Sequence, residues 1–219
     1  MSRLNNPEVS RMESEIDHPC PICGESGELK MLSMTAEIPY FGEHTQITLA
    51  CDKCGLRQTD FIPAEEKGSL CHTLQITTAE HLRARVVRGS SATVRLPELD
   101  LEVSPGSHST GYVSNVEGVL LRFLDIIDMV ARQAVTDSAE GGEGAEEAVL
   151  ALGELRSRLE RLMSGDALGE YNLEILDPTG HSAIADADAV VRELSQEEVE
   201  DLDYGPNPMV FNSSDDAVE

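Results

Sequence analysis

The sequence has few aromatic residues. Of its 219 residues none is Trp, and aromatic residues make up only 4 % of the chain. Hydrophobic residues still account for 40 % of it, and a chain of this length can bury a substantial core. We therefore expect one or two folded domains whose cores are built from Val, Leu, Ile and Ala rather than from aromatic rings.

Positive charge is also scarce. The chain carries 16 Lys and Arg residues against 41 Asp and Glu residues, a formal net charge of −25, and its lysines are Lys30, Lys53 and Lys67. A general nucleic-acid-binding protein needs a basic patch, which this sequence has little material to build. An acidic, lysine-poor composition is typical of a halophile, whose molar salt screens the self-repulsion of an acidic surface. An ordinary acidic protein is the alternative.

Long apolar runs are missing as well. No stretch of about 18 apolar residues could span a membrane. The N-terminal MSRLNNPEVSRMESEIDHP lacks the apolar centre of a signal peptide. We therefore expect a cytoplasmic protein without membrane contacts, in which the five cysteines indicate metal binding rather than disulfides.

Recognisable catalytic motifs are absent too. The sequence contains no phosphate-binding G-x4-G-K-[ST], no H-E-x-x-H and no G-x-S-x-G. Its six histidines are scattered along the chain. We expect that the protein is not an enzyme.

Four cysteines form two C-x2-C pairs, CPICG at residues 20–24 and CDKCG at residues 51–55. Each pair presents two thiolates from one tight turn, and the glycine after it can adopt the left-handed conformation that such a turn needs. Four sulfurs are the tetrahedral set that Zn²⁺ prefers, and they leave no coordination position open for a substrate. We predict one structural Zn²⁺, with iron as the main alternative, bound by Cys20, Cys23, Cys51 and Cys54.

The segment between the two cysteine pairs predicts a β-hairpin. Apolar and polar residues alternate over residues 32–38, which is a strand pattern, and residues 47–49 indicate a second, shorter strand. Its two aromatic rings either pack into the small core of the finger or form an exposed recognition surface, since a small zinc module can bury few large side chains. The predicted tip consists of Ile38, Pro39, Tyr40 and Phe41.

The whole sequence indicates an α+β fold that is mostly β. We expect a disordered N-terminus at residues 1–15 and a small four-cysteine zinc ribbon-like finger at 16–64. A β-rich domain at 65–195 is predicted from short strand-like runs separated by Gly, Ser and Pro. From residue 196 to 219 the chain carries eight acids and no Lys or Arg, which indicates a solvated acidic tail.

Two amphipathic helices are predicted within the β-rich domain. Ser114 and Glu117 form a capping box, S-x-x-E, just before an apolar run with helical spacing. A second such run lies between residues 149 and 162, after the acidic loop TDSAEGGEGAEEA. The two helices are expected to form an antiparallel hairpin at about residues 114–165, inserted into the β-rich domain.

Several motifs resemble those of the ZPR-type zinc-finger family, whose eukaryotic and archaeal members bind elongation factor 1-alpha. EIPYFG followed by CDKCG is similar to the family's finger. VVRGSSATVRLPELDLEVSPG is similar to its V-V-K-S-x-x-A-x-x-x-I-P-E-L-x-x-E-I stretch, VSNVEG to its T-V-E-G helix entry, and LDPTGHS to its D-P-x-G-N-S turn. The matches keep the family's order over about residues 16–192. His181 and Asn115 stand where the family usually has Asn and Thr.

The resemblance implies a function and a partner. Family members recognise elongation factor 1-alpha, a GTPase, and help it to fold or mature. Eukaryotic members carry two copies of the finger and the following domain, whereas this sequence shows one copy, as in the archaeal form. On this basis we expect contacts with the GTPase from Ile38, Pro39, Tyr40 and Phe41 at the finger tip and from Glu98 in the β-rich domain.

From the residues alone, the sequence predicts a zinc-stabilised protein-interaction module, and the partner follows only from the resemblance. A zinc-ribbon protein of transcription or nucleic-acid metabolism is the alternative. Between the cysteine pairs, however, there is one Lys and no Arg, against acids that include Glu28, Glu37 and Glu43. Such a surface would repel phosphate.

Overall fold

The computed structural model describes residues 10–38, 41–64, 67–106, 109–139 and 144–203. Within these residues the chain forms twelve β-strands and three α-helices, arranged as an N-terminal finger and a larger β-rich domain. The predicted fold class is therefore confirmed. None of the helices in the described part of the chain is long and apolar enough to cross a membrane.

The finger is a four-stranded antiparallel sheet in the order β1-β2-β3-β4. β2 and β3 pair over their whole length, from Leu29 opposite Cys51 to Ile38 opposite Gly42. The predicted hairpin is present, but β3 is as long as β2 because the backbone ladder continues through polar residues that carry no apolar alternation. The strands are β1 (Ser10–Ile16), β2 (Leu29–Ile38), β3 (Gly42–Cys51) and β4 (Arg57–Pro63).

β1 differs from the sequence prediction. Residues 10–15 fall in the segment predicted to be disordered, yet they form most of a strand that pairs with β2 from Ser10 opposite Thr35 to Ile16 opposite Leu29. The side chains before Ile16 in this strand are exposed, so the strand buries little apolar surface and its pattern carries no strand signal. The backbone ladder holds it at the edge of the sheet. The residues before Ser10 lie outside the described part of the chain.

The β-rich domain contains two sheets. A five-stranded sheet has the order β12-β5-β10-β7-β8, and a three-stranded sheet has the order β11-β6-β9. Strands that are distant in the chain pair directly, with Gln75 of β5 opposite Asn172 of β10. The strands are β5 (Leu70–Gln75), β6 (Arg85–Arg88), β7 (Thr93–Leu96), β8 (Leu101–Val103), β9 (Tyr112–Asn115), β10 (Asn172–Asp177), β11 (Ala183–Ala185) and β12 (Val190–Glu193).

Two long helices, α1 (Val116–Ala139) and α2 (Ala145–Ser164), pack against each other as the predicted helical pair. α1 begins one residue later than the predicted capping box implies. Asn115, the last residue of β9, caps the helix instead of Ser114, and its Oδ1 accepts a hydrogen bond from the backbone N–H of Gly118 at 2.8 Å. The correction is small in sequence, but it assigns the cap to a different side chain.

Both sheets and both long helices contribute to one main core. Its buried members include Leu74 on β5, Val86 on β6, Ile175 on β10, Phe123 on α1 and Leu159 on α2. Aliphatic side chains dominate this core, as the composition predicts. Because burial of apolar surface stabilises a fold roughly in proportion to the area removed from water, this core is the main source of stability for the β-rich domain.

A third helix, α3 (Gln196–Asp201), lies where the sequence predicts the start of an acidic tail. Ser195 and Glu198 form a capping box, in which each side chain accepts a hydrogen bond from the other residue's backbone N–H. Leu202 is buried in a small apolar cluster. The folded structure therefore continues past residue 195, because the acids of α3 obscure the apolar residues that anchor it. The rest of the predicted tail, residues 204–219, lies outside the described part.

Gly180 provides a test of how closely the chain packs. It has a φ of +70°, and a Cβ at this position would overlap the backbone carbonyl oxygen of Gly68. Gly169 also has a positive φ, +86°, but a Cβ there would meet nothing within 4 Å. We expect Gly169→Ala to cost about 1–2 kcal/mol for the left-handed backbone. Gly180→Ala should cost about 1–3 kcal/mol more, because backbone must also move. Urea unfolding of both variants measures the difference; equal costs would contradict the close approach.

Candidate functional site

The four cysteine sulfurs meet at one end of the finger. The Sγ atoms of Cys20 and Cys54 are 3.7 Å apart and those of Cys23 and Cys51 are 3.9 Å apart, and all four lie within 4.8 Å of one another. Sulfurs bound at about 2.3 Å to a tetrahedral Zn²⁺ are separated by about 3.8 Å. The positions of the sulfurs and the chemistry of the donor set therefore fit a zinc ion.

The two cysteine turns have matching backbone geometry. The N–H of Gly24 donates to the carbonyl of Cys20 at 2.8 Å, and the N–H of Gly55 donates to the carbonyl of Cys51 at 3.0 Å. The two glycines have φ values of +70° and +76°. A residue with a Cβ would be strained in this left-handed conformation, which explains why a glycine follows each C-x2-C pair.

The pKa values of the thiols indicate that four thiolates at this site need a bound cation. Burial raises the pKa of Cys20, but the backbone N–H groups of Cys23 and Ile22 outweigh it and lower this pKa to about 7. For Cys54, the backbone N–H of Leu56 lowers the pKa, whereas burial and the neighbouring cysteines raise it to about 12. Four thiolates this close together cannot all be charged unless a cation compensates them.

Few apolar side chains support this end of the finger. Among the described residues, its buried apolar cluster consists of Cys20, Leu29 and Cys51, with Ile16 and Leu56 packed against it. A core of this size supplies little free energy towards folding a four-stranded sheet. Metal–sulfur bonds are therefore expected to supply much of the stability of the finger.

The predicted tip is described only in part. Pro39 and Tyr40 lie outside the described residues. Ile38 and Phe41 are both partly buried, and the N–H of Phe41 donates to the carbonyl of Ile38 at 2.9 Å. The Phe41 ring meets the ring of the buried His44 edge-on, with the ring centres 6.4 Å apart. Phe41 thus packs within the finger while part of its surface stays accessible.

Ile38 and Phe41 lie at the opposite end of the finger sheet from the cysteines. Ten residues of β2 separate them, which corresponds to about 30 Å of extended strand. The tip end is also where the chain leaves for the β-rich domain, since the N–H of Ala64 donates to the carbonyl of Glu43 at 3.0 Å. A metal ion among the cysteines would therefore shape the sheet without touching anything bound at the tip.

Glu98 is exposed but already engaged within the β-rich domain. It lies in a 3-10 turn, Pro97–Leu99, between β7 and β8. Its carboxylate accepts hydrogen bonds from the backbone N–H of Asn172 at 3.0 Å and from the side-chain amide at 2.5 Å, and its carbonyl accepts one from Arg158. Burial raises the pKa of Glu98, but the bonds from Asn172 outweigh it and lower the pKa below its usual value. These contacts tie the turn to β10 and α2 rather than to the finger.

Asp60 of β4 joins the finger to the β-rich domain. Its carboxylate accepts hydrogen bonds from the N–H of Ser90 at 2.9 Å and from the Ser90 hydroxyl at 2.8 Å. Beside it, the N–H of Gly111 donates to the carbonyl of Thr59 at 2.7 Å. Nδ1 of His181 lies 3.7 Å from Asp60 Oδ2. We call these contacts the junction.

A buried turn supports the junction from the other side. Asp177 is fully buried, and its Oδ1 accepts hydrogen bonds from the N–H of Thr179 at 2.8 Å and the hydroxyl of Ser91 at 3.2 Å. Its Oδ2 accepts one from Ser182, whose hydroxyl in turn accepts from the N–H of Gly89 at 2.9 Å. The motifs VVRGSSA and LDPTGHS resemble those of the family, but nothing else in the sequence predicts these contacts. The residues that make them lie far apart in the chain.

Gly89 is required by this close packing. A Cβ at residue 89 would lie 3.0 Å from Oδ2 of Asp177 and 3.0 Å from Cβ of His181. The glycine therefore lets the loop between β6 and β7 lie directly on the turn after β10. This is the physical reason for a glycine in VVRGSSA, directly before the two serines that donate hydrogen bonds to Asp60 and Asp177.

Replacing one cysteine tests the metal centre. Cys51→Ser is expected to lose the zinc and the fold of the finger, because metal-binding free energy in such a module is folding free energy. Cys71→Ser is the matched control, since Cys71 is buried in a different cluster of the β-rich domain and should keep full zinc content. Zinc analysis and circular dichroism of both variants measure this. A folded finger in the zinc-free Cys51→Ser variant would contradict a stabilising metal.

Replacing His181 by Asn tests the junction. Burial lowers the pKa of His181, but Asp60 outweighs it, so the pKa lies above the usual value. The stability contributed by the charged ring is therefore fully present below the unfolded pKa of about 6.5 and lost as pH rises through the folded pKa. We expect His181→Asn to cost about 1 kcal/mol at pH 6 and less at pH 9.

Urea unfolding of both proteins at the two pH values checks this expectation. The same substitution made in an Asp60→Asn background is the control and should show little dependence on pH. A cost that is equal at pH 6 and pH 9 in the otherwise unchanged chain would mean that the pair of His181 and Asp60 contributes no charge interaction.

The chain is similar to two known protein domains and to several known proteins. The chain matches the ZPR1 zinc-finger domain over residues 9–67 and the ZPR1 jelly-roll domain over residues 80–203. It is 40% identical over 186 residues to a ZPR1-like protein of Methanocaldococcus jannaschii, which covers 85% of this chain and 88% of that protein. It is 37% identical over 187 residues to a ZPR1-like protein of Pyrococcus horikoshii, covering 85% and 80%.

A third relative carries a name that describes a function. The zinc finger chaperone zpr1 of Schizosaccharomyces pombe is 30% identical over 109 residues, which are 48% of this chain and 23% of that protein. The two family matches follow each other in the same order as the finger and the β-rich domain of the structure, and together they cover most of the described residues. The chain therefore belongs to the ZPR1 zinc-finger family.

Proposed function

We propose that the protein is a zinc-stabilised protein-interaction module that binds translation elongation factor 1-alpha and assists its folding or maturation. Family membership supports a role of this kind, and the name of the Schizosaccharomyces pombe relative, a zinc finger chaperone, supports assistance in folding. The observation that supports the proposal most is the set of exposed apolar side chains on the helical pair.

The helical pair exposes large apolar side chains. Of the nine large hydrophobic side chains that are exposed among the described residues, five lie on α1 and α2. Large apolar side chains that remain on the surface give a partner protein area to bury, and they carry no group for catalysis. These five are Leu121, Met129, Val130, Val135 and Leu150, with exposures between 44% and 72%.

The metal in this proposal is one structural Zn²⁺ held by Cys20, Cys23, Cys51 and Cys54. Four sulfurs fill a tetrahedral shell, and a catalytic zinc keeps one position for water. The separation of about 30 Å between the cysteines and the tip also supports a metal that shapes the sheet. We therefore propose that the protein has no catalytic function. Thiolate ligands need a reducing compartment, which supports a cytoplasmic location.

The charges of the finger argue against the nucleic-acid alternative. Lys30 lies 3.0 Å from the carboxylate of Asp52, and Nζ of Lys53 lies 2.5 Å from Glu25. Both lysines are therefore paired with neighbouring acids, which leaves less positive charge available to bind phosphate. The net charge of −25 also supports a protein that works at high salt, as in a halophile.

The direct test is binding and refolding of purified elongation factor 1-alpha from the same organism, at its native salt concentration. We expect a saturable one-to-one complex, and a higher yield of active GTPase when denatured factor is refolded with the zinc-loaded protein. Bovine serum albumin at equal concentration is the control. If neither a complex nor an improved yield were observed, the proposed partner would be refuted. The zinc-stabilised module would remain.

The tip residues can be tested in the same assay. Tyr40→Ala combined with Phe41→Ala should weaken the complex at least tenfold, because aromatic anchors carry much of the energy of interfaces. Met12→Ala is the matched control, since Met12 is an exposed apolar residue of β1, 69% accessible, on the same sheet. The measurement is the affinity of each zinc-loaded, folded variant for elongation factor 1-alpha. Unchanged affinity in the double variant would mean that the tip rings only pack within the finger.

A further inference from the structure

Two separate segments of the β-rich domain bring three side chains together. His81 begins the 3-10 turn His81–Arg83 that follows β5. Asp186 and Asp188 follow β11, whose last residue, Ala185, lies opposite Arg85 in the antiparallel pairing with β6. This pairing brings the loop after β11 beside the turn that carries His81, although the two are distant in sequence.

The imidazole of His81 is buried and held in one orientation. The residue is 5% exposed, and its Nδ1 lies 2.9 Å from the carbonyl oxygen of Gln75. A proton on Nδ1 satisfies that carbonyl and leaves the lone pair on Nε2, as in metal-binding histidines whose other nitrogen donates to a carbonyl. The N–H of Thr77 lies farther from Nδ1, at 3.2 Å, and would favour the opposite tautomer.

Nε2 of His81 faces two carboxylates. It lies 3.1 Å from Oδ2 of Asp188 and 4.0 Å from Oδ1 of Asp186. The three ligand atoms lie within 4.8 Å of one another. Ligands bound at about 2.1 Å to one cation are separated by about 3–4 Å. Closing the set around an ion therefore requires only a small movement, which the largely exposed Asp188 side chain can make.

The donor set and its surroundings suit a divalent cation. One imidazole and two carboxylates form a mixed nitrogen and oxygen set of the kind that first-row transition metals accept. The two carboxylates would balance the double positive charge. Asp186 also lines an open cleft of about 760 Å³, together with Ala84, Ile184 and Ala185, so an ion could enter and keep water ligands. Two cations line the same cleft, Arg83, which is paired with Glu80 at 3.3 Å, and Arg85.

We propose that His81, Asp186 and Asp188 form a second metal site that binds a divalent first-row transition-metal ion, separate from the four cysteines and open to solvent. The site differs in chemistry from the sulfur site, because its oxygen and nitrogen donors are harder and three protein ligands leave coordination positions for water. It lies on the β-rich domain, so its loading does not depend on the fold of the finger.

Cobalt titration of the zinc-loaded protein tests the proposal. Protein carrying one equivalent of zinc in the cysteine site is titrated with Co²⁺ in moderate salt, and uptake is followed by equilibrium dialysis and visible absorption. We expect one further Co²⁺ per chain, with weak absorption typical of nitrogen and oxygen ligands. An intense sulfur-to-cobalt band would instead report displacement of zinc from the cysteines.

The variants decide which residues bind the ion. Asp186→Asn combined with Asp188→Asn should weaken Co²⁺ binding at least tenfold, while leaving the buried His81 and the fold intact. Glu154→Gln is the matched control, since Glu154 is an exposed acid on α2, outside the cluster and the cleft, and its loss should change nothing. No saturable Co²⁺ uptake, displacement of zinc as the sole uptake, or unchanged binding in the double Asp variant would overturn the proposal and leave His81 as a partner in an ion pair.

Discussion

The finger depends on four sulfur atoms being held together at one end of its sheet. Ordering each residue costs about 1–2 kcal/mol of backbone entropy, and Leu29 is the main aliphatic side chain buried near the cysteines. Structural zinc in zinc-finger peptides contributes roughly 10–16 kcal/mol of binding free energy at neutral pH. A binding free energy of that size determines whether the strands form. The positions of the residues on the sheet, including Ile38 and Phe41, therefore depend on the metal.

The sheet is restrained at more than one place along its length. The cysteines close the far end, while Asp60 in the middle of β4 is bound by Ser90 of the β-rich domain. The motifs VVRGSSA and LDPTGHS, which resemble those of the family, converge on this junction. Gly89 supplies the room and Asp177 the acceptors. The motifs thus couple a metal-dependent finger to a domain with its own aliphatic core.

Local features of the sequence predicted much of this architecture. The cysteine turns, the hairpin of β2 and β3 and the helical pair all depend on residues within a few positions of one another, so spacing and periodicity report them. β1 escaped prediction because an edge strand can be held by backbone hydrogen bonds alone. α3 escaped because its acids obscured Leu202. The junction and the cluster of His81, Asp186 and Asp188 could not be predicted, because they are produced by strand pairing between distant segments.

The most direct test of the account is hydrogen exchange of the full chain with and without zinc, after removal of the metal by a chelator under reducing conditions. The account predicts that amides of β1 to β4 lose their protection in the zinc-free protein, while those of β5, β10 and α1 keep theirs because the aliphatic core does not need the metal. Protection of β2 and β3 that survives removal of zinc would contradict it, since the finger would then fold on its strands alone.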